Sequence, residues 1–423
     1  MKIPRFLKFE KYEVTDLKEF LSDGRIEVHL SRNKESAVCS RCRNNLGHER
    51  GHYIVKVEAM PIMGFRAFIH FKRYKRHCSS CNKARTEYLD WVSELTPHLT
   101  AEFAWWCGRV CEIASVNRVA ELVHHDKSTT WRLDYNRMIA MLQHYRIKPS
   151  TRLSVDEVYA RKHSKYFGES REKRYFTIIT DSDSRKVIWV SEGRSKASLD
   201  EFYKLIGQEA CSKIEVVAMD QFEGFRSSTE EYCPQATVVL DRFHIIKNFE
   251  EVLNETRKYL HDLLPTNDPI KRKTRSSNKF NFMKRADRRT ESESRSIKEV
   301  MDQNEDFMML EIIKERMLSI FNEVDATKAL FVWTEIGDWV KYPKFFELKR
   351  WYDTLNADWK CVANFFKYRV TTGISEGINN VIKTLKRKAY GYRNMGYFKL
   401  KIMQVCGYLN SRYMPSPDFN DLH

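Results

Sequence analysis

Three short stretches that each end in a carboxylate constrain this chain more than any other feature. Leu153-Ser154-Val155-Asp156 and Glu215-Val216-Val217-Ala218-Met219-Asp220 are short apolar, β-branched runs closed by a charge, which is the pattern of buried strands. Gly373-Ile374-Ser375-Glu376 opens a helical period, with Ser375 as the expected N-cap. A strand-end acid holds an oxygen rigidly at a sheet edge. Three acids gathered from distant positions make a hard-cation site, one that takes Mg²⁺ or Mn²⁺ and can support phosphoryl transfer with two metals roughly 4 Å apart.

The order of elements around these acids sets the expected fold. After Pro149 the hydrophobic period is that of strands: one ending at Asp156, a second over Tyr175–Thr180 closed by Asp181-Ser182-Asp183-Ser184, a third over Val187–Ser191. A helix over Ala197–Ala210 follows, with Leu199, Phe202, Leu205 and Ile206 on one side, then the strand to Asp220, a second helix, and the strand Ala236–Asp241. Three antiparallel strands followed by two βα crossovers is the order of the ribonuclease H-like fold. There the first and fourth strands are neighbours, so Asp156 and Asp220 are expected within reach of one metal pair. The helix from Glu376 carries Ile378, Val381, Ile382 and Leu385 on one stripe and Glu376, Asn380, Lys383 and Arg387 on the other, so the acid shares a face with cations. Asp241-Arg242-Phe243-His244 directly follows the last strand; Asp241 is expected near a metal or phosphate, or as a helix cap, and His244 near a water or phosphate, or in a structural role. Glu157, Asp181, Asp183 and Glu223 read as turn or surface acids.

Ahead of this core lie Cys39-x-x-Cys42 and Cys78-x-x-Cys81, two knuckles that each offer two thiolates from one tight turn, as tetrahedral Zn²⁺ requires. His48 and His77 rank below them as ligands. Alternation through Tyr53, Val55 and Val57, then Phe65, Ala67, Ile69 and Phe71, predicts a hairpin turning near Pro61 and Gly64. Lys72, Arg73, Lys75 and Arg76 lie on its second strand, either as phosphate contacts or as the charge that blunts an edge. From Thr100 to Tyr145 the period is helical. Val116, Val119, Ala120 and Val123 share a face, His124-His125-Asp126-Lys127 breaks it, and a new helix begins. This reads as a helix-turn-helix with Lys127, Ser128, Thr129 and Arg132 as base-reading candidates, or as a plain helical hairpin. Trp105, Trp106, Cys107 and Cys111 read as core.

Between Phe249 and Asn364 the chain is helical and lacks strand periodicity, the mark of an insertion into the core. Its basic clusters Lys271–Arg275 and Lys284–Arg289 flank a polar segment expected to order on DNA. Lys383, Arg387, Lys388 and Arg393 interleave with Tyr390 and Tyr392, a mix suited to backbone contact and base stacking. The expected fold class is therefore multidomain α+β. Its parts are a zinc-binding β module over 1–98, a helix-turn-helix over 99–148, a ribonuclease H-like α/β core over 149–248 and 365–423 with a basic C-terminal tail, and an α-helical insertion over 249–364.

Charge agrees with a polyanionic partner: 73 Lys plus Arg stand against 57 acids in 423 residues, a net +16. No run reaches the ~18 apolar residues of a membrane span, and the first eleven residues are too charged for a signal peptide. A cytoplasmic, nucleoid-associated location follows as the expectation, and with it thiols or metal ligands for the ten cysteines.

Taken together, Ser154-Val155-Asp156-Glu157-Val158-Tyr159, Ala218-Met219-Asp220, Asp241-Arg242-Phe243-His244 and Ser375-Glu376-Gly377-Ile378-Asn379-Asn380-Val381-Ile382-Lys383, running into Arg387-Lys388-Ala389-Tyr390-Gly391-Tyr392-Arg393, resemble the bacterial insertion-sequence DDE transposases of the ISL-three type. The cysteine knuckles and the helical pair after them match as well. The resemblance implies Asp156, Asp220 and Glu376 as a catalytic triad holding Mg²⁺ or Mn²⁺, and Asp241 with His244 as an accessory element. It also implies double-stranded DNA, as terminal inverted repeats and target, for a partner, with at least a dimer to cut two ends together. The rival from another class is a non-enzymatic, sequence-specific DNA-binding regulator derived from such an element. A nuclease of related fold acting on branched DNA is a third reading.

Overall fold

The structure is a computed structural model and describes residue 9 and residues 11–34, 36–94, 96–160, 174–370 and 373–413. It divides into two compact units, Met1–Arg146 with Gly396–His423, and Ile147–Met395.

The first unit begins with five strands: β1 (Tyr12–Phe20), β2 (Arg25–Arg32), β3 (Glu49–Ile62), β4 (Phe65–Cys78) and β5 (Lys83–Thr86). Their order is β1-β2-β4-β3, with β5 also on β4. β2 and β4 run parallel, and the other pairs are antiparallel. The β3–β4 hairpin is the one the alternation predicts. Its two turn residues, Met63 and Gly64, both have positive φ, 50° and 88°, the geometry that matches the twist of the flanking strands. Val28, Val57, Ile69 and Phe71 pack with Tyr12 and Trp91 on one face.

Three helices follow, α1 (Ala101–Val110), α2 (Val116–Leu122) and α3 (Lys127–His144). Thr100, Ser115 and Asp126 cap them by accepting the N–H three residues on, so three polar residues set three helix starts. Gly108 lets α1 approach α3: a Cβ there would lie 2.7 Å from Cδ of Arg137. The C-terminal helix Met395–Cys406 joins this unit rather than the catalytic core to which the sequence reading assigned 365–423. The reason is a buried charge. Asp134 of α3 is fully buried; it accepts from the Tyr397 hydroxyl at 2.5 Å and from Lys401 at 3.1 Å, and Lys401 also donates to the Cys111 carbonyl at 2.7 Å. A lone buried carboxylate is strongly disfavoured, and the returning helix supplies its partners.

The second unit opens with β6 (Arg152–Tyr159), β7 (Tyr175–Asp181) and β8 (Lys186–Glu192), then α4 (Lys196–Cys211), β9 (Val216–Met219), α5 (Glu223–Tyr232) and β10 (Thr237–Leu240). The sheet order is β10-β9-β6-β7-β8. β6, β7 and β8 are antiparallel neighbours, while β6, β9 and β10 run parallel. Ser154 is level with Ala218, and Ala218 with Val239. Two residues further on, Asp156, Asp220 and Asp241 therefore fall in one row at the same edge of three adjacent strands.

The rest is helical: α6 (Arg242–Leu263), α7 (Lys279–Met283), α8 (Glu291–Met301), α9 (Glu305–Ser319), α10 (Ala326–Trp339), α11 (Phe346–Ala357), α12 (Trp359–Tyr368) and α13 (Gly373–Lys388). Two expected boundaries fall inside helices. α6 runs unbroken across 248/249, because Ile245, Phe249, Leu253 and Leu260 keep one buried stripe throughout. α12 runs across 364/365 and lies on β10, where Asn364 donates to the Val238 carbonyl at 2.8 Å. The helices share a core in which Trp333 stacks on Tyr352 and Trp359, centroids 4.3 and 5.1 Å away. The basic clusters are partly structural: Lys271 donates to the Leu264 carbonyl, and Arg289 grips the buried Glu311 with two nitrogens at 2.5 and 3.0 Å.

Candidate metal centres

The four thiolates come from two alike turns. Cys39 and Cys42 flank one, Cys78 ends β4, and Cys81 stands in the turn to β5. The residue after each second cysteine, Arg43 and Asn82, adopts positive φ, 61° and 49°. The Sγ atoms of Cys39 and Cys81 are 4.0 Å apart, those of Cys42 and Cys78 3.5 Å, and all four lie within 4.8 Å of one another. Tetrahedral zinc with bonds near 2.3 Å separates its sulfurs by about 3.8 Å, so the cluster fits that ion. Burial works to raise the Cys39 thiol, but N–H groups of Cys42 and Arg41 and the thiols of Cys42 and Cys78 outweigh it and bring it down to about 6. His48 and His77 stack on each other at 5.7 Å and stay outside the four-sulfur group.

In the second unit the row of aspartates is held by cations. Asp241 is buried and caps α6, accepting the His244 N–H at 3.3 Å, so that His244 lies in the first turn of that helix. Its imidazole sits between two acids: Nε2 is 3.5 Å from Asp156 and Nδ1 3.6 Å from Asp220. Burial lowers the affinity of His244 for a proton, but Asp156, Asp220 and Asp241 reverse this and raise it to about 9. Arg194, just beyond β8, is 2.9 Å from Glu157 and 3.9 Å from Asp220. Burial first, then Asp220 and Asp156, push the Glu157 carboxyl up to about 7 against the pull of Arg194. Its Oε2 is buried without a hydrogen-bond partner. The reading of Glu157 as a turn or surface acid is thus overturned: Glu157 lies within β6, which runs on to Tyr159, and its side chain is largely covered. The spacing offered a signal, since the acid adjoins Asp156, but its partner Arg194 lies beyond two further strands.

Helix α13 meets β6 through two contacts. Ser375 lies within the first turn, not at the cap, and its buried hydroxyl is 3.0 Å from that of Ser154. Asn379 donates to Asp156 Oδ2 at 2.9 Å. Glu376 is exposed one turn before Asn379. Among the described residues only the cysteines gather three or more ligands within 4.8 Å, so Asp156, Asp220 and Glu376 do not converge on a point. Their hard oxygens, and the orphaned oxygen and raised proton affinity of Glu157 beside them, are what a divalent cation would satisfy.

Of the basic candidates, Lys72 and Lys75 are exposed on β4, whereas Arg73 donates to the Glu87 carbonyl at 3.0 Å and Arg76 is half-buried. On α3 the hydroxyls of Ser128 and Thr129 are engaged by Asp126 at 2.5 and 2.7 Å; Lys127, Ser128 and Arg132 are exposed, and Thr129 is half-buried. Lys383, Arg387, Lys388 and Arg393 are all exposed.

Residues 153–402 match the profile of the ISL3 DDE family, described as a transposase, over more than half of the chain. This chain belongs to that transposase family. Residues 35–81 match the zinc-finger of transposase IS204/IS1001/IS1096/IS1165, which spans three of the four cysteines and ends on the fourth, Cys81. The transposase for insertion sequence element IS1001 of Bordetella parapertussis is 24% identical over 378 residues, 89% of this chain and 90% of that protein. The transposase for IS1557 of Mycobacterium tuberculosis is 23% identical over 265 residues, 57% of each chain. As a member of this family the chain is an insertion-sequence transposase with a zinc-binding finger.

Proposed function

We propose that this transposase binds the terminal inverted repeats of its own element and catalyses divalent-metal-dependent DNA cleavage and strand transfer. Asp156, Asp220 and Glu376 are the cation-binding acids in this reading, and Asp241 and His244 assist them. One observation carries it: Asp156 and Asp220 stand level on adjacent parallel strands, His244 lies between them, and α13, which bears Glu376, is tied to Asp156 through Asn379. The sheet, with three antiparallel strands extended by two parallel ones, supports a ribonuclease H-like core.

Bound Mg²⁺ or Mn²⁺ would activate the attacking water and stabilise the leaving 3′ oxygen. The chain's own residues do the rest. Asn379 fixes the carboxylate plane of Asp156. His244 holds a proton between Asp156 and Asp220 and offsets their repulsion. The exposed cations Lys383 and Arg387, on the side of α13 that carries Glu376, and Lys388 and Arg393, at and beyond its end, contact phosphates. In the first unit, α2 and α3 act as a helix-turn-helix with Lys127 and Arg132 presented outward. Lys72 and Lys75 lie on the strand leading to the zinc cluster, in position to hold the backbone. Cutting two ends together requires at least a homodimer. Among the described residues no helix is long and apolar enough to cross a membrane, and we assign the protein to the cytoplasm, with the nucleoid.

The test is Mg²⁺-dependent nicking of linear DNA bearing the element ends. Asp156→Ala and Glu376→Ala should bind the ends and fail to cut. Cutting at the wild-type rate by either variant would refute the acid assignment.

A further inference from the structure

Asp220 has two cationic neighbours: His244, which it shares with Asp156, and Arg194, which it shares with Glu157. Arg194 is held in place from several sides. Gly193 before it has φ 95°, and a Cβ there would lie 2.9 Å from the Ser198 hydroxyl, so this backbone position is reserved for glycine. The Gly193 N–H donates to the Tyr175 carbonyl at 2.8 Å, and its own carbonyl accepts from the Thr177 hydroxyl at 2.9 Å. The guanidinium lies over the rings of Phe222 and Tyr175, at 5.1 and 5.8 Å. From that seat it reaches Glu157 at 2.9 Å but stops 3.9 Å short of Asp220. Glu157 in turn is fixed by its place on β6, next to Asp156.

We propose that Glu157 and Arg194 are a positioning pair, in which Glu157 holds the Arg194 guanidinium off Asp220 and so leaves the Asp220 carboxylate open to a divalent cation. This rests on the reading of Asp156 and Asp220 as cation-binding acids. Without Glu157, Asp220 is the remaining acid within 4 Å of the guanidinium among the described residues, and a planar fork beside a carboxylate closes on it in bidentate fashion. The arginine would then compete with the metal for the same oxygens. Removing the arginine as well lifts the competition. The pair therefore makes a prediction that a purely structural contact does not: the second mutation repairs the first.

The experiment uses the full, zinc-loaded chain at pH 8 with Mn²⁺ as the probe. Free Mn²⁺ is read by its electron paramagnetic resonance signal, and folding by thermal unfolding. Wild type should bind Mn²⁺, and Asp220→Asn should lose that binding. Glu157→Gln should weaken Mn²⁺ binding roughly tenfold, Arg194→Gln should bind at least as well as wild type, and the double variant should recover most of the loss, a coupling of opposite sign to the single effect. Glu157→Gln binding like wild type, or a double variant worse than either single one, overturns the pair while leaving the acid assignment intact. Mn²⁺ binding unaffected by Asp220→Asn overturns the acid assignment itself.

Discussion

The zinc cluster and the proposed acid site of this chain are built in opposite ways. The zinc ligands arrive in pairs from two turns, and the sulfurs already stand at near-tetrahedral spacing. The acids of the second unit come from β6, the end of β9 and the start of α13; Asp156 and Asp220 stand on either side of His244, with Arg194 beside Asp220. Soft ligands on a shared turn can be closed in advance, because thiols that keep their protons donate to the one that loses its own, Cys39, until a metal takes them. Carboxylates cannot. Like charges in a partly buried place repel, so the chain keeps them separated by its own cations until others replace these. The first centre is part of the fold, and the second, in the proposed reading, is added to a fold that stands without it.

The largest effect expected from that contrast is at the cysteines. Cys78→Ser should abolish stoichiometric zinc and unfold the β part of the first unit, since structural zinc contributes on the order of 10 kcal/mol to such modules. Metal content and a calorimetric scan would check it: one transition should vanish, and the transition of the second unit should remain. A variant that melts like wild type would erase the distinction. Asp156→Asn should do the reverse. End cleavage should fall roughly a thousandfold or more, as when a member of a reacting group is removed. The melting temperature should hold or rise, because a repelling charge has gone. Loss of folding in Asp156→Asn would mean the acid row is structural after all.

Acid sensitivity sharpens the same contrast. In the first unit Glu58 is a buried acid that is paired: it accepts from Arg66 at 2.8 Å and lies 2.9 Å from His125, joining β3 to the turn before α3. Burial tends to raise the Glu58 carboxyl, but His125 and Arg66 outweigh it and hold it below the usual range. A folded-state value below the unfolded one means the pairing contributes fully above the ordinary carboxylate value of about 4.3, and that contribution is withdrawn as the pH falls past it. Glu58→Gln should destabilise the first unit by about 2 kcal/mol at neutral pH and by much less in acid. Chemical denaturation at pH 7 and pH 3.5 would read the difference, and an equal loss at both would remove the charge from the explanation.

Much of this was legible in the chain, and what was not has a common cause. Periodicity located β3, β4, β6 to β10 and α4 closely, because each buries a face and that burial is written in consecutive residues. Paired spacing exposed the cysteines. Apolar runs closed by acids exposed Asp156, Asp220 and Asp241, and one register brings all three level, although β6 does not end at Asp156 as expected but runs on to Tyr159. β1 and β2 went unread, their outward faces being charged and their inward ones short. The long-range polar contacts were also invisible: Arg194 against Glu157, Ser375 against Ser154, Lys401 against Asp134. Each joins residues of ordinary surface type whose meaning comes from a partner far along the chain. The last of these moved the C-terminal helix out of the catalytic unit.

The smallest effect asks how tightly the added centre is tied to its frame. Asn379 is the one side chain of α13 that donates to Asp156 among the described contacts, and Ser375 fixes the same helix four residues earlier. Partners that orient a metal ligand are worth roughly ten- to a hundredfold in affinity or activity, so Asn379→Ala should slow end cleavage about tenfold while end binding stays level. Asn379→Asp should be worse, because it sets a second carboxylate against Asp156 where an amide donor stood. Ser375→Ala tests the frame alone: it leaves the Ser154 hydroxyl buried without its partner, costs about 1 kcal/mol or more of stability, and touches no acid. If Asn379→Ala cuts at the wild-type rate while Ser375→Ala slows cleavage, the helix carries Glu376 to the site by packing, and the amide contact to Asp156 is incidental. If the order is the other way, the acid row is oriented atom by atom, and its open geometry is held ready rather than merely loose.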